Sequence, residues 1–305
     1  MARAPHDPGT AELAEMSPVT RRLLTANEEP AEDPAFLHAV LCQVAMPYRR
    51  TPSREWKHRN GRALLWMEAG AVEGEDDDIV RVPLPWGPKS RLVLAHLNAE
   101  ALRQGERTIE VERTLHAFTK RIFGYAPNGR QLRDMKEHLT ALSTATVRLS
   151  YRLEGGGRHQ TQGHIVSGLE LWDHTDERQQ TLWPSQVTFS LEYWQSLVNH
   201  AVPLDMRHVG ALSHSAMALD IYAWLSHRLH RVRYADGQFV PWSKIKEQFG
   251  STYKRLPKFR EVFRREFRQV MAVYPEARVY EEIANDGTPN GLRLHTSPPP
   301  VLRRG

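Results

Sequence analysis

A single cysteine, Cys42, in 305 residues leaves no partner for an internal disulfide and no cysteine-based zinc site. So few thiols fit a reducing cytoplasm, with Cys42 as a small buried apolar residue. No apolar run approaches the roughly 20 residues that span a bilayer, and the first residues, MARAPHDPGTAELAE, lack the apolar core of a signal peptide. No glycine-rich loop ending in Lys-Ser/Thr is present, so ATP hydrolysis has no support. The fifteen histidines are scattered. His227 and His230 lie three apart on one helix but lack an evident third ligand, and two exposed residues of a basic helix describe them better. The histidine–apolar–histidine triplet with a tyrosine that nicking enzymes use is missing as well. These absences predict a cytoplasmic protein that binds rather than catalyses, with no cofactor and no metal.

What is present is charge, unevenly placed. Residues 1–80 carry 9 Lys/Arg against 14 Asp/Glu, whereas residues 201–305 carry 17 against 10. The basic end is therefore the nucleic-acid candidate. Its centre is Tyr253 to Val273, YKRLPKFREVFRREFRQVMAV. Pro257 suits a first helical turn, and Leu256, Phe259, Phe263, Phe267 and Val270 recur at three- and four-residue steps, so they share one buried face. Arg260, Arg264 and Arg268 recur every four residues on another side, with Lys254, Arg255, Lys258 and Arg265 close by. A solvated surface helix would show the same charge run. The setting favours DNA: a helix over Trp242 to Phe249 precedes it, and two strand-like runs, Ala277 to Ile283 and Gly291 to His295, follow, joined by Asp286-Gly287 and Asn290-Gly291 as turn signals. Helix, basic helix, hairpin is the order of a winged helix-turn-helix, and arginine forks suit phosphates and guanine edges.

The same order precedes it. Residues 1–33, proline-rich and acidic without apolar periodicity, read as a mobile arm. Pro34 to Ala45 reads as a short helix, Ala63 to Met67 as a strand, and Gly74 to Ile79 as an acidic loop. Lys89 to Arg103 is a helix, Thr108 to Val111 a strand, and Thr114 the N-cap of a helix through Ile122. Arg130 to Leu142 turns Leu132, Met135, Leu139 and Leu142 inward and leaves Arg130, Gln131, Arg133 and Lys136 outside. Thr144 to Leu153 and Gln162 to Leu171 form a hairpin across Gly155-Gly156-Gly157, with Arg158, His159 and Gln160 at its tip near a phosphate backbone. In the second half, Val187 to Ser190 is a strand, Leu191 to Asn199 a helix, Pro203-Leu204-Asp205 a break, and Ser215 the cap of a central helix over Ala216 to His230. Most of Trp86, Trp172, Trp183, Trp194, Trp224 and Trp242 are read as core residues rather than stacking platforms, because no alternating basic and aromatic sheet surface is legible. The expected fold is α+β: an arm (1–33), a first winged-helix domain with an N-terminal extension (34–180), a second winged-helix domain (181–297) and a tail (298–305). The candidate duplex-DNA contacts are Arg130, Gln131, Arg133, Lys136, Arg158, Lys254, Arg255, Lys258, Arg260, Arg264, Arg265 and Arg268.

Several blocks of the chain are similar to the plasmid-encoded RepA replication initiators of broad-host-range Gram-negative plasmids: PSREWKHRNGR (52–62), VPLPWGPKSRLVLAHLNAEALRQGERTIEV (82–111), SHSAMALDIYAWLSHRL (213–229), VPWSKIKEQFG (240–250) and KFREVFRREFRQVMAVYPEARV (258–279). The resemblance implies binding to repeated origin sequences, iterons, in duplex DNA. It also implies assisted melting, recruitment of the host initiator and replicative helicase, and copy-number control through a homodimer. A winged-helix transcriptional repressor, including one that acts on its own promoter, is the alternative; no membrane partner is expected.

Overall fold

The computed structural model describes residues 16–29, 33–74, 78–112, 114–152, 158–168, 186–285 and 287–301. The glycine turn at 155–157, Trp172, Trp183, Asp286 and most of the acidic loop after Gly74 lie outside these residues. Among the described residues no helix is long and apolar enough to cross a membrane.

The chain opens with helix α1 (Pro18–Thr25), inside the segment expected to be a mobile arm. Ser17 caps it by accepting the Thr20 N–H at 3.1 Å, Pro18 pre-sets the first turn, and Leu23 and Ala26 enter the core. Asn27 fastens it further, donating to Val273 O at 3.2 Å and meeting His208 Nε2 at 2.8 Å. Residues 16–29 are thus docked, and the local cap signal is what the proline-rich composition hid.

Strand β1 (Ala35–His38) replaces the helix expected over Pro34 to Ala45. It pairs antiparallel with β11 (Ala201–Leu204), Ala35 opposite Leu204, so a partner 169 residues away overrides a local helical pattern. The break expected at Pro203 is strand for the same reason: in this two-stranded ribbon the missing N–H of Pro203 costs no central ladder bond. Asp205 then caps a short helix, α6 (Met206–Ala211), accepting the Arg207 N–H at 2.9 Å.

Between these lie β2 (Glu55–Asn60), β3 (Ala63–Glu68), a two-stranded hairpin of β4 (Ala71–Glu73) and β5 (Ile79–Arg81), helix α2 (Gly87–Gln104), β6 (Thr108–Glu110), α3 (Leu115–Phe123), α4 (Gly129–Thr144), β7 (Thr146–Arg152), β8 (Arg158–His164), β9 (Val166–Gly168), β10 (Gln186–Phe189) and α5 (Leu191–His200). After β11 and α6 come α7 (Ala216–Arg228), a short 3-10 turn (Leu229–Arg231), β12 (Gln238–Pro241), α8 (Trp242–Phe249), α9 (Leu256–Val273), β13 (Val279–Ile283) and β14 (Pro289–Leu294). Asn290-Gly291, expected as a turn, lies inside β14; the hairpin turn is carried by Gly287 at φ +80°.

The order helix, strand, helix, helix, hairpin occurs twice, as α2-β6-α3-α4-β7-β8 and as α7-β12-α8-α9-β13-β14. The sheets differ. In the second unit the strands run β12-β14-β13, closed within the unit. In the first, the hairpin is extended outward as β2-β3-β7-β8, while β6 pairs with β10. Pairings β1–β11 and β6–β10 both cross the boundary expected near residue 180, and one continuous apolar core spans both units. A buried ion pair joins their leading helices. Arg91 of α2 donates from Nε and Nη2 to the two carboxylate oxygens of Asp220 on α7 at 2.6 and 2.8 Å, and to Gly87 O and Met46 O at 2.8 Å.

Candidate nucleic-acid interface

Helix α9 is fixed by aromatic packing. Phe259, Phe263, Val270 and Val273 are fully buried, with Phe263 5.4 Å from the Trp242 ring and 5.6 Å from Phe249. Gly250 permits this approach: a Cβ there would meet the Phe259 ring at 2.5 Å. Leu256 and Phe267 pack at the margin of the same face, as the spacing requires.

The cations of α9 are not equally available. Arg264, half-buried, donates from Nε to Glu281 at 3.0 Å and through Nη2 to the same carboxylate, while its guanidinium lies 5.7 Å from the Trp242 ring centroid. Glu281 in turn accepts the Trp242 Nε1–H at 3.2 Å. Arg260 donates to Pro289 O of the hairpin at 3.2 Å. Arg265 reaches the buried carboxylate of Glu266 at 2.7 and 2.8 Å, and Lys258 pairs with Glu261 at 2.9 Å. Arg268, exposed on the solvent face, meets no carboxylate within ion-pair distance among the described residues. Lys254 and Arg255 are exposed in the approach to the helix. The hundred-degree step per residue puts Arg260 and Arg264 toward the β13–β14 hairpin, and Lys258, Arg265 and Arg268 outward.

Helix α4 is built by a capping box: Asn128 accepts the Gln131 N–H at 3.0 Å and Gln131 Oε1 accepts the Asn128 N–H at 2.9 Å. Gln131, also bonded to Tyr125 OH at 3.1 Å, is held by the cap. Met135, Leu139 and Leu142 face the core; Arg130, Arg133 and Lys136 are exposed. Arg158 lies not in a turn but at the start of β8, opposite Arg152; its side chain is outside the described residues.

The flank of α4 carries groups that the sequence reading passed over. Lys89 reaches Asp134 at 2.8 Å, Arg50 reaches Glu137 at 3.1 Å, and Trp86 packs on His138 at 4.2 Å between ring centroids. The Lys89 pairing holds Asp134 below the usual carboxylate range. Burial, then the nearby Lys89 charge, pushes His138 down to about 4, so its ring is neutral at pH 7 and bonds Ser90 Oγ at 2.9 Å. Burial and Arg231 likewise push His227 down to about 3. No group of three His, Cys, Asp or Glu that could hold a metal is found among the described residues. The arrangement offers positioned cations on two helices.

Residues 84–244 match the family described as plasmid encoded RepA protein. The backbone is similar to a crystal structure of domain 2 and domain 3 of RctB, with a TM-score of 0.51 and 8% identity over 85% of this chain and 99% of that one. A second crystal structure, of RctB domains 2-3, gives 0.49 and 8% identity over 85% of this chain and 96% of that one. No curated protein matches the chain. The first of these likenesses concerns the mixed α+β fold alone; the family match covers just over half of the sequence, and the chain belongs to the plasmid-encoded RepA family of replication initiators.

Proposed function

We propose that the chain initiates plasmid replication by binding repeated origin sequences in duplex DNA through two tandem winged-helix units. The observation that carries this reading is the repeated order of elements, each copy placing a helix with exposed arginines before a hairpin: Arg130 and Arg133 on α4, Arg268 on α9. The strand order β12-β14-β13 supports the winged-helix assignment, since the strand between the helices completes the sheet of the wing.

On this reading α4 and α9 enter successive major grooves on one face of the DNA, about one turn apart. Arginines that touch phosphate fix register, and those that reach guanine select sequence. Melting of the origin, recruitment of the host initiator and helicase, and copy control by a dimer belong to the same proposal, as does action in the cytoplasm by binding alone. Footprinting of the full chain on its own origin region at two salt concentrations tests it. Regular protection of direct repeats at whole helical turns is expected; one palindromic footprint beside a promoter would make the protein a repressor instead.

A further inference from the structure

The segment that leads into β2 is fastened to the first turn of α2. Pro47 O accepts the Gly87 N–H at 3.0 Å, Met46 O accepts from Arg91 Nη2 at 2.8 Å, and the Arg91 guanidinium lies 5.3 Å from the Tyr48 ring centroid. Ala45 O, just before, accepts the Trp56 Nε1–H at 2.8 Å. The chain is therefore held in place up to Tyr48, and the two residues that follow, Arg49 and Arg50, stand exposed on a fixed base.

Together with the start of α2 and the flank of α4, this loop lines a cleft of about 420 Å³. Its charged groups are Arg49, Arg50 and Lys89 against Asp134 and Glu137. Both acids are already paired, Glu137 with Arg50 at 3.1 Å and Asp134 with Lys89 at 2.8 Å. Arg50 is steadied further by the Trp86 ring, 5.6 Å from its guanidinium, and His138 is neutral at pH 7 and adds no charge. The surplus cation is Arg49, which meets no carboxylate within ion-pair distance among the described residues. Asp134 and Glu137 lie one turn beyond Arg130 and Arg133 on α4, so the cleft borders the helix face that carries those exposed arginines.

We propose that this cleft seats a phosphate of the DNA strand bordering the groove that α4 enters, with Arg49 as the donor to that phosphate. The inference rests on the reading of α4 as a duplex-DNA helix. Charge complementarity names the occupant. One unpaired guanidinium, whose fork of N–H donors matches phosphate oxygens, suits a singly charged phosphodiester. The Arg50 and Lys89 pairs remove the repulsion that Glu137 and Asp134 would otherwise exert on it. A backbone contact of this kind sets the register of α4 and selects no sequence.

The test is a binding titration of the full chain across a salt series, on an origin repeat and on a duplex of random sequence. Each phosphate contact contributes about 0.9 to the slope of log K against log salt. Arg49→Gln is expected to lower that slope by about 1 and to weaken binding by the same factor on both duplexes, while the urea midpoint stays unchanged. Arg49→Lys, which keeps the charge, is expected to keep the slope. Glu137→Gln removes a negative charge and releases Arg50 toward the strand, so tighter binding with a steeper slope is expected, a gain that a damaged fold does not produce. An unchanged slope in Arg49→Gln, with Arg133→Ala still weakening binding, overturns the cleft and leaves the DNA reading intact. A loss confined to the origin repeat would make Arg49 a reader of bases and overturn it as well. Equal loss in the lysine and glutamine variants of Arg49, with no gain in Glu137→Gln, would show a structural role and overturn it too. Wild-type protein that binds neither duplex at low salt removes both readings.

Discussion

The second unit is the more basic in sequence, yet the first leaves more of its helix cations open. On α9, Arg260, Arg264, Arg265 and Lys258 all engage partners within the protein, two of them on the hairpin that follows. On α4, Arg130 and Arg133 project outward, and the acids of the helix, Asp134 and Glu137, are neutralised from its flank by Lys89 and Arg50. A count of arginines is therefore a poor measure of an anion-binding face. Where the acids sit relative to the helix decides how much charge reaches solvent.

The comparison depends on the two units being held in one frame, and the largest expected effect tests that frame. Asp220→Ala leaves Arg91 charged and buried, and should cost about 3–5 kcal/mol. A urea melt followed by a probe in each unit should show both lost in one transition at a lower midpoint. Two separated transitions in the wild-type protein would mean that the units are not coupled.

Acid should act on both units through neutral histidines, buried His138 in the first and half-buried His227 in the second. His138 has a folded value of about 4 against 6.5 unperturbed, so protonation favours the unfolded chain. Its contribution is intact above pH 6.5 and falls as the pH drops toward 4. At about 1.4 kcal/mol per unit the loss is on the order of 3 kcal/mol for His138, with His227 adding in the same direction. Denaturant midpoints at pH 7 and pH 4.5 measure it, and His138→Gln should flatten part of the slope.

On DNA, Arg268→Ala and Arg133→Ala should each weaken origin binding by about 1–3 kcal/mol if the side chain reads guanine. Arg264→Ala should do less, since its fork already holds Glu281; equal losses at Arg264 and Arg268 in a filter-binding assay would undo the contrast drawn for α9. The smallest effect is Gln131→Ala, which opens the capping box of α4 at a cost of about 0.5–1 kcal/mol in thermal stability.

Features specified within a few residues were legible in the sequence. The caps at Thr114 and Ser215 each accept a backbone N–H three residues on, and the Phe259, Phe263, Val270 spacing placed α9. What escaped were pairings across long separations. Arg91 and Asp220 are 129 residues apart, and nothing in either segment names the other. The β1–β11 ribbon turned a helical pattern into strand for the same reason. At the candidate site, Arg264 and Arg268 look alike in sequence, and only the placement of Glu281 on β13 distinguishes them. The cleft beside α4 is assembled from the 48–50 loop, the start of α2 and α4, and none of these segments names the others. The in-out alternation of Trp56, His58 and Asn60 could have marked β2.

The most direct test of two units acting on successive grooves is hydroxyl-radical footprinting of an origin repeat with wild type, Arg133→Ala and Arg268→Ala. Two protected patches per repeat, about 34–36 Å apart on one face, are expected, with Arg133→Ala erasing one and Arg268→Ala the other. Loss of the same patch in both variants, or a single patch in the wild type, would contradict the account.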